Sequence, residues 1–141
     1  AFDDGEEIPV KYTCDGENVN PPLEISGVPD DAKSLVLIVD DPDAPDGTWN
    51  HWTLWNIDPN ITEISENSFP MGALEGLTSF GMAGYVGPCP PSGTHRYFFE
   101  LTALDTMLVL PEGATKEDLE ATMESHIVEG VLFVGKYTFE Q

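Results

Sequence analysis

The sequence predicts a mainly-β protein, a β-sandwich whose strands run predominantly antiparallel. Three observations lead there. Short apolar or alternating runs rich in Val, Ile, Phe, Tyr and Trp recur along the chain, as half-buried or buried strands require. Clusters of Gly, Pro, Asn and Asp separate these runs, which is turn chemistry. Helical periodicity is sustained only once, after Thr115. At 141 residues the chain can bury about 70% of its unfolded surface, and 1–141 reads as one domain without repeat or linker.

Taken in order, Ile8, Val10 and Tyr12 alternate with polar residues, and Pro9 predicts an edge strand there. CDGENVNPP, 14–22, is a turn, and Leu23 and Ile25 alternate after it. Ser34–Asp40 is continuously apolar and β-branched, the pattern of a strand covered on both faces. His51–Asp58 reads as a strand with His51, Thr53, Trp55 and Ile57 on one face and Trp52 and Leu54 on the other. Residues 59–94 hold no sustained period and are dense in Gly and Pro; a connection that long tends to be functional. HRYFFELTAL, 95–104, is a strand with His95, Tyr97, Phe99, Leu101 and Ala103 on one side. Thr115 and Asp118 form an acidic capping box for a helix whose Leu119, Met123 and Ile127 make one stripe. Val131–Phe139 closes the chain as an alternating strand.

Charge excludes one class of function. Twenty-six Asp and Glu face five Lys and Arg, a formal net of −21, so the basic footprint that nucleic-acid binding needs is missing. Forty per cent hydrophobic residues argue against acidic disorder. The result is a densely carboxylated folded surface, the lever halophiles use. At molar salt the Debye length is about 3 Å and self-repulsion is screened. The composition is that of a halophile's cytoplasmic protein. No run is long enough to span a membrane, and AFDDGEE carries no signal region. Cys14 and Cys89 belong to no CxxC pair; a disulfide is open to them, and two buried thiols suit a reducing compartment better.

The site-like stretch is DDPDAPDGTWNH, 40–51. Pro42 and Pro45 stiffen an acidic loop at the end of the buried strand, with Trp49 and His51 close behind. His95 and Tyr97, two apart on a strand, share a face and with His51 offer donors to an anion, while Asp41 is placed to orient an imidazole. GPCPPSGT, 87–94, combines glycines that allow close backbone approach with prolines that make the loop rigid, so amides near Gly87 and Cys89 are placed to cradle phosphate. An EF-hand is excluded, since the twelfth position from Asp41 is Trp52 rather than Glu. A looser cation site among Asp40, Asp41 and Asp43 is the minor alternative. No GxSxG elbow is present.

YTCDGENVNPPLEISGVP, SLVLIVDDPDAPDGTWNHWTLWNI and GPCPPSGTHRYFFELTALD together resemble the signatures of the phosphatidylethanolamine-binding protein family, in its bacterial and archaeal, Raf kinase inhibitor-like branch. The resemblance spans essentially the whole chain. It implies a Greek-key β-sandwich of two antiparallel sheets with short helices. It also implies an anion pocket built from Asp41, Asp43, Pro45, Trp49, His51, Gly87, Cys89, Pro90, Pro91, His95 and Tyr97. Within it, His51, Tyr97 and the Cys89 amide would touch the anion and Asp41 would orient His51. The implied function is non-enzymatic binding of a phosphate-bearing small molecule or phosphorylated partner, with no cofactor and no metal. The alternatives are inhibition of a kinase or serine protease through loops in 59–86, and a hydrolase using Asp41, His51 and His95. Prokaryotic relatives suggest a homodimer. In so acidic a chain, an anion pocket is expected to bind more tightly as salt screens the global field.

Overall fold

The computed structural model describes residues 2–139. Its strands are β1 (Leu23–Glu24), β2 (Ser34–Asp41), β3 (Trp49–Ile57), β4 (Glu63–Ile64), β5 (Leu74–Glu75), β6 (Thr94–Leu104) and β7 (Ile127–Thr138). Five of them form one antiparallel sheet in the order β5-β3-β2-β6-β7, and β1 pairs with β4 in a small second sheet. The expected mainly-β fold of two antiparallel sheets with short helices is what the chain adopts.

The central strand β2 is covered on both sides, which accounts for its unbroken apolar sequence. Leu35, Leu37 and Val39 pack with Trp52, Leu54, Tyr97 and Phe99 in the main core. Val36 and Ile38 face a smaller core with Trp55, Leu104, Leu119 and Met123. The helix α1 (Lys116–Met123) closes that second core. Its Thr115 side chain accepts from the Asp118 amide while Asp118 reaches back, so the expected capping box forms. Ile127 does not extend the stripe. It opens β7 and is 54% exposed.

Two other expectations are corrected. Residues 10–12 form a 3-10 turn rather than a strand: Tyr12 and Thr13 donate back to the Pro9 and Val10 carbonyls at 3.0 Å each. Edge pairing survives one step earlier, where Glu7 bridges Lys136 in parallel. In β3, Ile57 sits with Trp52 and Leu54, not with Trp55. Leu35 faces Ile57 while Leu37 faces Leu54, so β3 carries one extra residue there. Asn56 absorbs it in the left-handed region (φ 56°), and everything after it changes face.

Candidate functional site

A second bulge in β3 builds the site. Val39 faces Trp52, yet Asp40 faces Asn50, which leaves His51 as the unpaired extra residue. A bulge re-aims the side chain it carries. His51 thereby joins Asp41 and Trp49 from the strand ends and His95 and Tyr97 from β6 around a cavity of about 220 Å³. Of the sequence-derived set, Asp41, Pro45, Trp49, His51, Cys89, Pro91, His95 and Tyr97 line this cavity.

Asp43, Gly87 and Pro90 do not line it. The Asp43 carboxylate turns outward to Arg96, accepting from its Nε at 2.9 Å, its Nη2 at 2.8 Å and its main-chain amide at 2.9 Å. Gly87 is pressed against the protein's own backbone, and its amide donates to Asn18 Oδ1 at 2.8 Å. Pro90 is buried behind the wall. Three lining residues escaped the sequence reading: Ala44, Asp46 and Phe80. Phe80 lies 5.0 Å, ring to ring, from both Trp49 and His51. It arrives through the aperiodic stretch 59–94, pinned by Ser79, whose amide donates to the Asn50 carbonyl at 3.1 Å and whose hydroxyl accepts from the Asn50 amide at 2.8 Å. No periodic signal marks such a residue.

The orientation expected of Asp41 also needs correction. Asp41 Oδ2 accepts from His95 Nδ1 at 2.6 Å, both side chains being buried, and Oδ1 accepts from the Asp43 amide at 2.8 Å. His51 is instead held by main chain: its Nδ1 donates to the Val86 carbonyl at 2.6 Å, and the Val86 amide returns a bond to the His51 carbonyl at 3.0 Å. A carbonyl can only accept, so His51 carries its proton on Nδ1 and leaves Nε2 for the cavity. His95, donating to a carboxylate, does the same. Burial pushes the His51 imidazolium below its ordinary pKa, against the opposing pull of the Val86 carbonyl and Asp41.

Tyr97 lies between the two imidazoles, its ring centroid 5.3 Å from His51 and 6.4 Å from His95. It is 1% exposed, and its hydroxyl makes no well-formed hydrogen bond within the protein, with the Asp41 carboxylate and the Cys89 main chain as its near polar neighbours. Burial, then the neighbouring Asp41 charge, pushes this phenol well above its ordinary value, while the Cys89 amide pulls weakly the other way. A buried hydroxyl without a partner is costly and calls for an explanation.

The three acids of the loose cation site are each engaged by a separate partner. Asp40 points to the opposite face and binds Lys116 Nζ at 2.6 Å, Asp41 binds His95, and Asp43 binds Arg96. No group of three metal-ligating side chains occurs among the described residues. Hydrogen bonding to Arg96 holds the Asp43 carboxyl down at about 2. A depressed carboxyl stabilises above its unfolded pKa and loses that contribution as pH falls through the folded one. Asp43→Asn is therefore expected to be modestly less stable at neutral pH and to lose part of the stability change between about pH 4 and 2. Urea midpoints measured across that range check this; parallel profiles for the variant and the parent would refute it.

Cys14 and Cys89 are joined in a disulfide, with Cα atoms 5.5 Å apart, which overturns the expectation of two buried thiols. Both residues are exposed. Two larger clefts lie elsewhere, of about 350 and 430 Å³. In the larger, the polar groups of Asn18, Asn20 and Tyr85 are already engaged by the protein itself. The smaller cavity is the one lined by Tyr97 and both imidazoles. No helix among the described residues is long and apolar enough to cross a membrane.

Comparison with known proteins places the chain in a family and matches its fold. The family model described as phosphatidylethanolamine-binding protein matches residues 1–138. The UPF0098 protein of Methanothermobacter thermautotrophicus is 52% identical over 97% of this chain and 94% of its own length. The UPF0098 protein PH1269 of Pyrococcus horikoshii is 49% identical over 97% of this chain and 73% of its own. Among solved structures, the phosphatidylethanolamine-binding protein homologue CT736 of Chlamydia trachomatis matches with a TM-score of 0.95 at 44% identity, covering 99% of this chain and 94% of that one. E. coli YbcL matches with a TM-score of 0.91 at 30% identity over the same shares. With a matched family model spanning nearly its full length and a shared fold, the chain belongs to the phosphatidylethanolamine-binding protein family.

Proposed function

We propose that this protein holds a phosphate-bearing ligand, such as a phospholipid head group, a nucleotide or a phosphorylated partner, in the His51–His95–Tyr97 cavity and does no chemistry on it. The reading places it in the cytoplasm, at the high salt its surface suits. The observation that carries the proposal is the buried Tyr97 hydroxyl, unpartnered beside two imidazoles whose free nitrogens face the same space. A phenol whose ionisation is suppressed remains a donor at every working pH.

Proton bookkeeping sharpens the reading. His51, its charged form disfavoured by burial, presents Nε2 as an acceptor, so an anion beside it needs one proton more in the complex than free phosphate and free protein carry at neutral pH. That proton rides on the phosphate or on an imidazole. Because the anion favours the charged imidazole, affinity should rise as pH falls from about 8 toward 6. Phosphate titrated into the folded protein by calorimetry, in two buffers of different ionisation heat, should show proton uptake. His51→Ala and Tyr97→Phe should each weaken binding at least tenfold, and affinity should rise from low to molar potassium chloride. Binding indifferent to both substitutions would remove the pocket from this role.

A second reading rests on a different surface. Phe69, Met71 and Met82 are exposed, Met71 almost completely at 98%, on the loops of 59–86 where an inhibitor of a kinase or protease would make contact. Such inhibition should survive His51→Ala.

A further inference from the structure

We propose that the Cys14–Cys89 disulfide is a redox gate on the anion pocket, holding its wall in place when oxidised and releasing it when reduced. The inference rests on the ligand reading above and concerns the regulation of that same cavity.

The two cysteines play unequal parts. Cys89 lines the cavity together with Pro91; Cys14 lies outside it. Cys14 ends a firmly seated turn. Thr13 beside it is fully buried, and its hydroxyl donates to the Val10 carbonyl at 2.9 Å. The Cys14 amide donates to the Pro88 carbonyl at 3.1 Å. That bond is the last main-chain anchor of the wall on its N-terminal side. The next is the Gly93 carbonyl, which accepts from the Phe139 amide at 2.8 Å. Between them, residues 89–92 make no backbone-to-backbone hydrogen bond to another segment among the described residues, and the Cys89 main chain has only the Tyr97 hydroxyl near it. Pro90 and Pro91 have no N–H to give. Pro90 packs inward, while Cys89, Pro91 and Ser92 are exposed. The disulfide is therefore the principal tether of the stretch that walls the ligand.

Gly93, at φ 65° with open space around it, gives the released wall a hinge. The prolines keep the segment stiff, so it swings rather than dissolves. Neither cysteine belongs to a core cluster, so the packing of the main sheet does not pass through the bond.

The step balances with a dithiol as reductant, a small molecule or a CxxC protein. Its thiolate attacks Sγ of exposed Cys14, the Cys14–Cys89 bond breaks, and Cys89 leaves as a thiolate. The second thiol then attacks the dithiol's own sulfur in the mixed disulfide and releases Cys14. Two electrons pass to the protein, two protons complete its thiols, and the dithiol becomes a disulfide. Transient, redox-sensing use is the ordinary role of a disulfide in a reducing cytoplasm. Linkage is reciprocal: if oxidation tightens phosphate tenfold, saturating phosphate must favour the disulfide tenfold against the dithiol.

The test is phosphate titration of oxidised protein, of protein reduced with dithiothreitol, and of the double variant Cys14→Ser/Cys89→Ser. Amide exchange of Leu35–Val39 reports in parallel on whether the sheet stays folded. Reduced protein should keep that protection and bind phosphate at least tenfold more weakly, with recovery on reoxidation. The double variant should sit at the weak value whatever the reductant. Equal affinity in the two redox states would overturn the gate and leave the anion reading standing. Loss of exchange protection on reduction would also overturn it, since unfolding is not gating. No phosphate binding by the oxidised protein would overturn both.

Discussion

Asp41→Ala is expected to lower the unfolding free energy by about 2 kcal/mol, because it leaves a buried donor without its acceptor. The Asp41 and His95 side chains are 5% and 8% exposed and meet at 2.6 Å. Without the carboxylate, His95 Nδ1–H loses its acceptor in the interior. The Asp43 amide also loses its bond to Oδ1, and with it the turn that carries Pro45 to the cavity. Asp41→Asn separates charge from hydrogen bonding: its amide oxygen can still accept from Nδ1, and most of the stability should return. Phosphate affinity should fall in the alanine variant as the His95 ring loses its orientation. Urea unfolding at unchanged m-value measures the first effect. A loss below about 1 kcal/mol, within the range of an ordinary neutral hydrogen bond, would mean that the pair is not the keystone assigned to it.

Gly87→Ala should cost about 2 to 3 kcal/mol, at the upper end of what overpacking exacts. A Cβ there would lie 2.2 Å from the Tyr12 carbonyl oxygen, 2.6 Å from Asn18 Oδ1 and 2.9 Å from Thr13 Cα. Two of these neighbours are main chain and cannot rotate away. Relief requires the wall to part from the 12–14 turn, which would break the Gly87–Asn18 and Cys14–Pro88 hydrogen bonds. Phosphate affinity should fall with stability. Gly130→Ala is the control, since its new methyl would meet nothing closer than 3.7 Å; it should be neutral or slightly stabilising. A Gly87→Ala protein as stable as its parent would show that the wall is free to shift without loss.

The glycine illustrates how far local reading reaches. Its spacing in GPCPPSGT correctly signals a close approach of backbone, but the partner is the chain itself, not a ligand. Likewise, the stiff acidic loop and the face shared by His95 and Tyr97 follow from proline chemistry and strand period. Which carboxylate meets which partner does not. Asp40, Asp41 and Asp43 look equivalent in sequence and end with Lys116, His95 and Arg96 respectively, because the pleat and one turn send them in three directions.

The sequence by itself determined the long strands, the doubly covered β2, the capped helix, the family and most of the residues that line the cavity. All of these depend on local periodicity, turn chemistry or motif. The tertiary structure alone decided the roles. His51 reaches the cavity through a bulge that exists only as a mismatch of count between β2 and β3. Asp41 serves His95 while a main-chain carbonyl serves His51. Phe80 arrives from an aperiodic loop, and the two cysteines meet across 75 residues. Register, hydrogen-bond choice and cross-linking are relations between distant segments, set by which arrangement satisfies the most buried groups at once, and no window along one strand contains them.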